Sequence, residues 1–117
     1  MKITIGLTKT DRAADYVPSM DGYRPGAEQD VVVLEIDAVP TQPDGGWRAL
    51  EVGEAYFMAT NAPEEVVKGS PLALAIYTAL VERTAPAHRL SMSVGDTVQV
   101  DDGPVLVCAS FGWEEAK

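Results

Sequence analysis

Thr97-Val98-Gln99-Val100, then Asp101-Asp102-Gly103-Pro104, then Val105-Leu106-Val107-Cys108-Ala109-Ser110 is the stretch that decides the fold. Its first four residues alternate polar and apolar, the period of a half-buried strand. Asp101-Asp102-Gly103 is turn chemistry, with the glycine supplying a positive φ. The return strand sets Val105, Val107 and Ala109 on one face and Leu106 and Cys108 on the other. Both faces are apolar, so the strand belongs in the interior of a sheet. Residues 90–113 are therefore predicted to form an antiparallel hairpin, with Val98, Val100, Val105 and Val107 mostly buried.

Working back from the hairpin, Ser70-Pro71 is a helix start, with serine as N-cap and proline at the first helical position. The helix that follows carries Leu72, Ala75, Ile76, Leu80 and Val81 and stops before Pro86. Asn61 to Glu65 reads as a short capped turn with its acids at the positive end. Trp47 to Asn61 is predicted to be a second helix, with Asp44 near its N-cap. Ala49, Val52, Tyr56 and Ala59 recur at helical spacing, with Leu50 and Phe57 beside them. Gly53 costs that helix about 1 kcal/mol against alanine.

Val31 to Val39 is a β-branched run that suits a central strand emerging toward solvent. Residues 2–6 alternate, with Ile3 and Ile5 on one face. Residues 7–30 hold Pro18, Gly22, Pro25 and Gly26 and show no period. This is a long loop of the kind that is functional or mobile, with Tyr16, Met20 and Tyr23 available to pin it. The order β, β, α, α, β, β gives an α+β class: a small, mostly antiparallel sheet with two main helices packed on one face, in a single domain over residues 1–117.

Composition excludes several functions. The chain has 117 residues, 18 acids against 9 bases, one His and one Cys. A lone Cys108 makes no intramolecular disulfide and no cysteine zinc site. No apolar run reaches the length of a membrane helix, and nothing at the start resembles a signal peptide, so a cytoplasmic chain beginning at Met1 is expected. A net charge of −9 argues against direct nucleic-acid binding. The acids are concentrated: residues 28–65 carry nine acids and one base, and residues 96–117 carry five acids and one base. Gathered on one face, they would form a negative field that attracts a basic partner.

Catalytic patterns are thin. His88 lies in a Pro-Ala-His-Arg connector, and Cys108 sits mid-strand as a buried, inert thiol. Glu35 and Asp37 are two apart on a strand and so about 6–7 Å apart on one face. No glycine pattern suits a phosphate or a dinucleotide. The candidate binding residues are Glu35 and Asp37, Tyr23 and Arg24 in the first loop, and the terminal Trp113. No catalytic or metal-ligating residue and no cofactor is assigned.

Leu90-Ser91-Met92-Ser93-Val94-Gly95-Asp96-Thr97-Val98, followed by a hairpin and Ala109-Ser110-Phe111-Gly112-Trp113-Glu114, resembles the closing signature of the YodL-like family of small bacterial, plasmid and phage proteins. Asp21-Gly22-Tyr23-Arg24-Pro25-Gly26 and Phe57-Met58-Ala59-Thr60-Asn61-Ala62-Pro63 are similar to earlier segments of its members. Met92 stands where leucine is usual. The resemblance implies a bacterial, plasmid or phage origin and a cytoplasmic site of action, and it brings no catalytic residues. In the signature, Gly95 is expected to take a left-handed turn, and Asp96 or Ser93 to cap loose backbone N–H groups. The expected function is a non-enzymatic accessory protein that binds a protein partner through an acidic face, in a counter-defence or host-modulating role. The alternatives are a small nucleic-acid-binding module and a carboxylate-based hydrolase or metal enzyme in which His88 meets Glu35 and Asp37.

Overall fold

A computed structural model describes residues 2–36, 49–83, 92–110 and 112–115. Five strands form one sheet: β1 (Lys2–Thr8), β2 (Gln29–Glu35), β3 (Thr97–Val100), β4 (Leu106–Ala109) and β5 (Gly112–Glu115). Their order is β2-β1-β3-β4-β5, and every pairing is antiparallel. The helices are α1 (Pro18–Asp21), α2 (Ala49–Asn61), α3 (Glu64–Lys68) and α4 (Pro71–Arg83). This is the α+β arrangement expected from the sequence.

Alternation sorts the sheet residues into two faces. Ile3 and Ile5 of β1, Val32 and Leu34 of β2, Val98 of β3 and Cys108 of β4 join one core with Val52, Tyr56 and Ala59 of α2 and Leu72, Ile76 and Leu80 of α4. The helix starts follow their local chemistry. The Ser70 hydroxyl accepts the Ala73 N–H at 3.2 Å, completing the N-cap before Pro71. The short α3 has no side-chain cap, and Asn61 does other work. Its amide donates to the carbonyls of Phe57 and Met92, while the Thr60 hydroxyl accepts the Met92 N–H at 3.2 Å. The end of α2 is thus fastened to the segment that leads into β3.

Several expectations are corrected. The second strand is not central: β2 is outermost, and Val31 is 58% exposed. Its β-branched run reflects strand propensity on a half-buried surface rather than burial on both faces. Residues 90–113 do more than form a hairpin, because Gly112–Glu115 pairs with β4 as a further strand. That places β4 inside the sheet, as its two apolar faces require. Val98 and Val107 are buried, but Val100 and Val105 are only half-buried. Leu50, Phe57 and Val81 are exposed, on the sides of α2 and α4 turned from the core. Asp44 and Trp47 lie outside the described residues.

The first loop is folded. Tyr16 is buried and exchanges backbone hydrogen bonds with Asp11, and its hydroxyl donates to the Gly22 carbonyl at 2.5 Å. Asp11 accepts the N–H groups of Ala13 and Ala14, and Asp21 accepts that of Val17. Met20 is no pin, being 84% exposed. In the β3–β4 turn the positive φ belongs to Asp101 (51°), not to Gly103. Asp101 also continues the β1 ladder. Its N–H donates to the Lys2 carbonyl at 2.8 Å, and its carboxylate accepts the Lys2 N–H at 2.9 Å.

Two tests follow from this packing. A Cβ on Gly53 would lie 2.8 Å from Cη2 of Trp113 and 3.0 Å from Cγ1 of Val98. Gly53→Ala should therefore destabilise the protein by about 1–3 kcal/mol, although alanine is the better helix former by about 1 kcal/mol. Equilibrium urea unfolding reads the sign directly. In the same assay Asp101→Ala should cost about 1 kcal/mol, for its lost hydrogen bond and its positive φ, and Asp102→Ala under about 0.5 kcal/mol.

Candidate binding groove

The sheet face away from the helices carries a groove of about 1020 Å³ between the first loop and β4–β5. Its apolar lining comes from Val94, Val107 and Ala109, with Tyr23 and Met20 contributed by the loop. Acids complete it: Asp21 from the loop, and Glu114 and Glu115 from β5. The groove exists because residues 9–28 fold back over one end of the sheet. Pro18 seats against Gly95, where a Cβ would meet its own Cβ at 2.9 Å. Gly95 has φ +94°, the left-handed turn expected of it.

Next to that contact lies Asp96, the best-buried acid of the described residues at 4% exposed. One carboxylate oxygen accepts the Thr8 N–H and the other the Ser93 N–H, each at 2.8 Å. Its own carbonyl accepts the Cys108 N–H at 2.8 Å, while Gly95 donates to the Cys108 carbonyl at 2.8 Å. The Thr8 hydroxyl donates to the Gly95 carbonyl at 2.7 Å and accepts from the Gln29 amide at 2.9 Å. Burial pushes the Asp96 carboxyl above its usual value, against hydrogen bonds from Ser93 and Thr8 that pull it down. Burial also raises the Cys108 thiol, helped by the neighbouring Asp96 charge, so the thiol is held protonated. The Tyr56 hydroxyl is raised by the same two causes. Such a cluster braces a fold and offers no activated nucleophile.

The five candidate residues do not converge. Tyr23 lines the groove, half-buried. Arg24 turns away from it, with its guanidinium carbon 4.2 Å from the centroid of the Tyr16 ring, a cation–π contact that helps to hold the loop. Glu35 is exposed at the end of β2, at the opposite edge of the sheet from β5. Trp113 is half-buried and packs on the core over Gly53. Asp37 and His88 lie outside the described residues. The acids likewise do not gather in one patch: Glu35 and Glu114 share the sheet face away from the helices but sit at its opposite edges, and the register sets Asp30 and Glu115 on the other face. Asp21 and the β5 acids were missed as groove residues; they come from distant segments, and no spacing rule joins them. Among the described residues no group of three or more His, Cys, Asp and Glu could hold a metal ion. No helix among them is long and apolar enough to cross a membrane.

Comparison with protein-family models, curated proteins and solved structures found no match to this chain.

The pH dependence of the Asp96 junction has a definite sign. A carboxyl raised on folding is favoured in its neutral form, so its contribution is full below the unfolded value, here 3.8, and is lost as pH rises through the folded value. Asp96→Asn removes this titration. The stability of the native chain relative to the Asn variant should therefore increase as the solution is acidified toward pH 3.8. Urea unfolding of both proteins across that range checks it.

Proposed function

We propose that the chain is a non-enzymatic accessory protein that binds a protein partner in the groove between the first loop and β4–β5. The observation that carries this reading is the pairing of an apolar lining with Asp21, Glu114 and Glu115 in a chain of net charge −9. Apolar surface supplies contact energy, and the acids select a basic partner and steer its approach. Tyr23 gives the groove an aromatic wall of the kind that dominates protein interfaces. The resemblance of residues 90–114 to the YodL-like signature supports a bacterial, plasmid or phage setting. A counter-defence or host-modulating role in the cytoplasm fits that setting.

Affinity capture from a bacterial lysate tests the proposal with three baits: the native chain, Tyr23→Ala, and the double variant Glu114→Lys with Glu115→Lys. The native bait should retain a discrete host protein, released as salt screens the acids over a Debye length of about 10 Å at 0.1 M. Both variant baits should lose it. Equal retention by all three baits, or no protein above background, would sink the groove reading. A gel shift with duplex DNA and with RNA at low salt should show no retardation.

A further inference from the structure

The groove ends at β5, and β5 is an edge. Among the described residues no strand lies beyond it. In an antiparallel ladder, alternate residues of the outer strand turn their N–H and C=O groups outward, so β5 presents unpaired main-chain donors and acceptors. We propose that β5 accepts an added strand: an extended segment of a protein partner in which basic and apolar residues alternate. This rests on the reading of the chain as a protein-binding module and specifies how the partner is held.

The apolar half of the requirement is met by α2. Leu50, Gly53 and Phe57 are spaced i, i+3 and i+7, so they share one flank of the helix. Trp113 of β5 lies against Gly53, so this flank borders the β5 edge. On either side of Gly53, Leu50 is 40% and Phe57 43% exposed. A strand placed beyond β5 would sit about 4.8 Å further out. Its helix-side residues would then cover Leu50 and Phe57, extending the sheet–helix layer by one strand.

The charge requirement is met on the other side. Glu114 pairs with Val107 across the ladder and so shares its face, and both line the groove. Asp21 lines the same groove, whereas Glu115, paired with Leu106, and Glu54 of α2 stand on the helix side of the edge. No ion pair among the described residues engages Glu54, Glu114 or Glu115. Lysine or arginine at every second position of the incoming strand would meet the groove acids, while the intervening apolar residues meet α2. The same charges oppose a second copy of this chain, because β5 paired with β5 would crowd four glutamates onto one short ladder, and neighbouring like charges repel.

The experiment uses a short peptide alternating lysine and valine, the same peptide N-methylated at every second residue on its hydrogen-bonding edge, and an alternating glutamate–valine control. Binding to the full chain is followed by amide chemical shifts and by the indole N–H resonance of Trp113. The lysine peptide should bind and shift residues 112–115 together with Leu50 and Phe57, and the glutamate peptide should not bind. N-methylation should weaken binding about tenfold or more, through lost main-chain hydrogen bonds. Leu50→Ser with Phe57→Ser alters only exposed positions and should weaken binding by a similar factor. If the methylated peptide binds equally well, with shifts at Tyr23 and Val94 and none along β5, strand addition is overturned while the groove reading stands. If no lysine peptide binds at low salt, strand addition is overturned, and lysate capture decides the groove reading separately.

Discussion

The carboxylate of Asp96 is the junction through which β1, β4 and the first loop are held in one geometry. It removes two backbone donors from the list of unsatisfied groups, the N–H of Thr8 and that of Ser93. A fully buried unpaired N–H costs about 1–3 kcal/mol, and these two, part-buried at the end of β1 and ahead of β3, would each cost a share of that. The exchange of hydrogen bonds between Gly95–Asp96 and Cys108 continues the β3–β4 ladder beyond Thr97 and fixes the end of β4 against the approach to β3. Pro18 on Gly95 then fixes where the loop can lie. The groove is a consequence of that chain of constraints: its lining is β4 and Val94, and its wall is the loop that Gly95 seats.

A second brace acts on the helical side. Thr60 and Asn61 hold residue 92 by its N–H and its carbonyl, so the end of α2 and the approach to β3 move as one piece. Further along the same helix Gly53 lets Trp113 and Val98 come close enough that no Cβ would fit. Two segments distant in sequence, 57–63 and 92–98, therefore meet each other in space. Their residues have a structural reason to occur together that needs no shared ligand.

Periodicity made the core legible. Ile3 and Ile5, the Val52–Tyr56–Ala59 stripe, the Ser70-Pro71 start and the β3–β4 pair follow from spacing and capping chemistry that act within a few residues. What spacing does not encode is position in the sheet. Val31–Leu34 reads as interior because all four residues favour strands, yet the order of strands is set by which edges find partners. Gly112-Trp113-Glu114-Glu115 has one apolar residue and no alternation, and it is a strand because β4 offers it an edge. The groove was illegible for the same reason: Asp21 and Glu114 are brought together by the loop seated on Gly95, a contact between segments distant in sequence.

Net charge, read from the sequence, pointed to one acidic face, and the structure distributes the acids by task instead. Glu28 and Asp30 flank Lys9 at 3.6 and 3.3 Å, closing the ends of the first loop. Glu64 meets Lys68 one turn on, and exposed pairs of this kind contribute under about 1 kcal/mol each. Asp96 is consumed in the core, Asp11 and Asp21 by loop backbone, and Asp101 by Lys2. Glu114 and Glu115 have no such local partner among the described residues, and they occupy a short edge strand. Charged side chains on an outermost strand keep a protein from pairing with its own copies. The same two charges lower the free energy of approach for a basic chain, so protection of the edge and selection of a partner are one electrostatic arrangement with opposite signs for like and unlike strands.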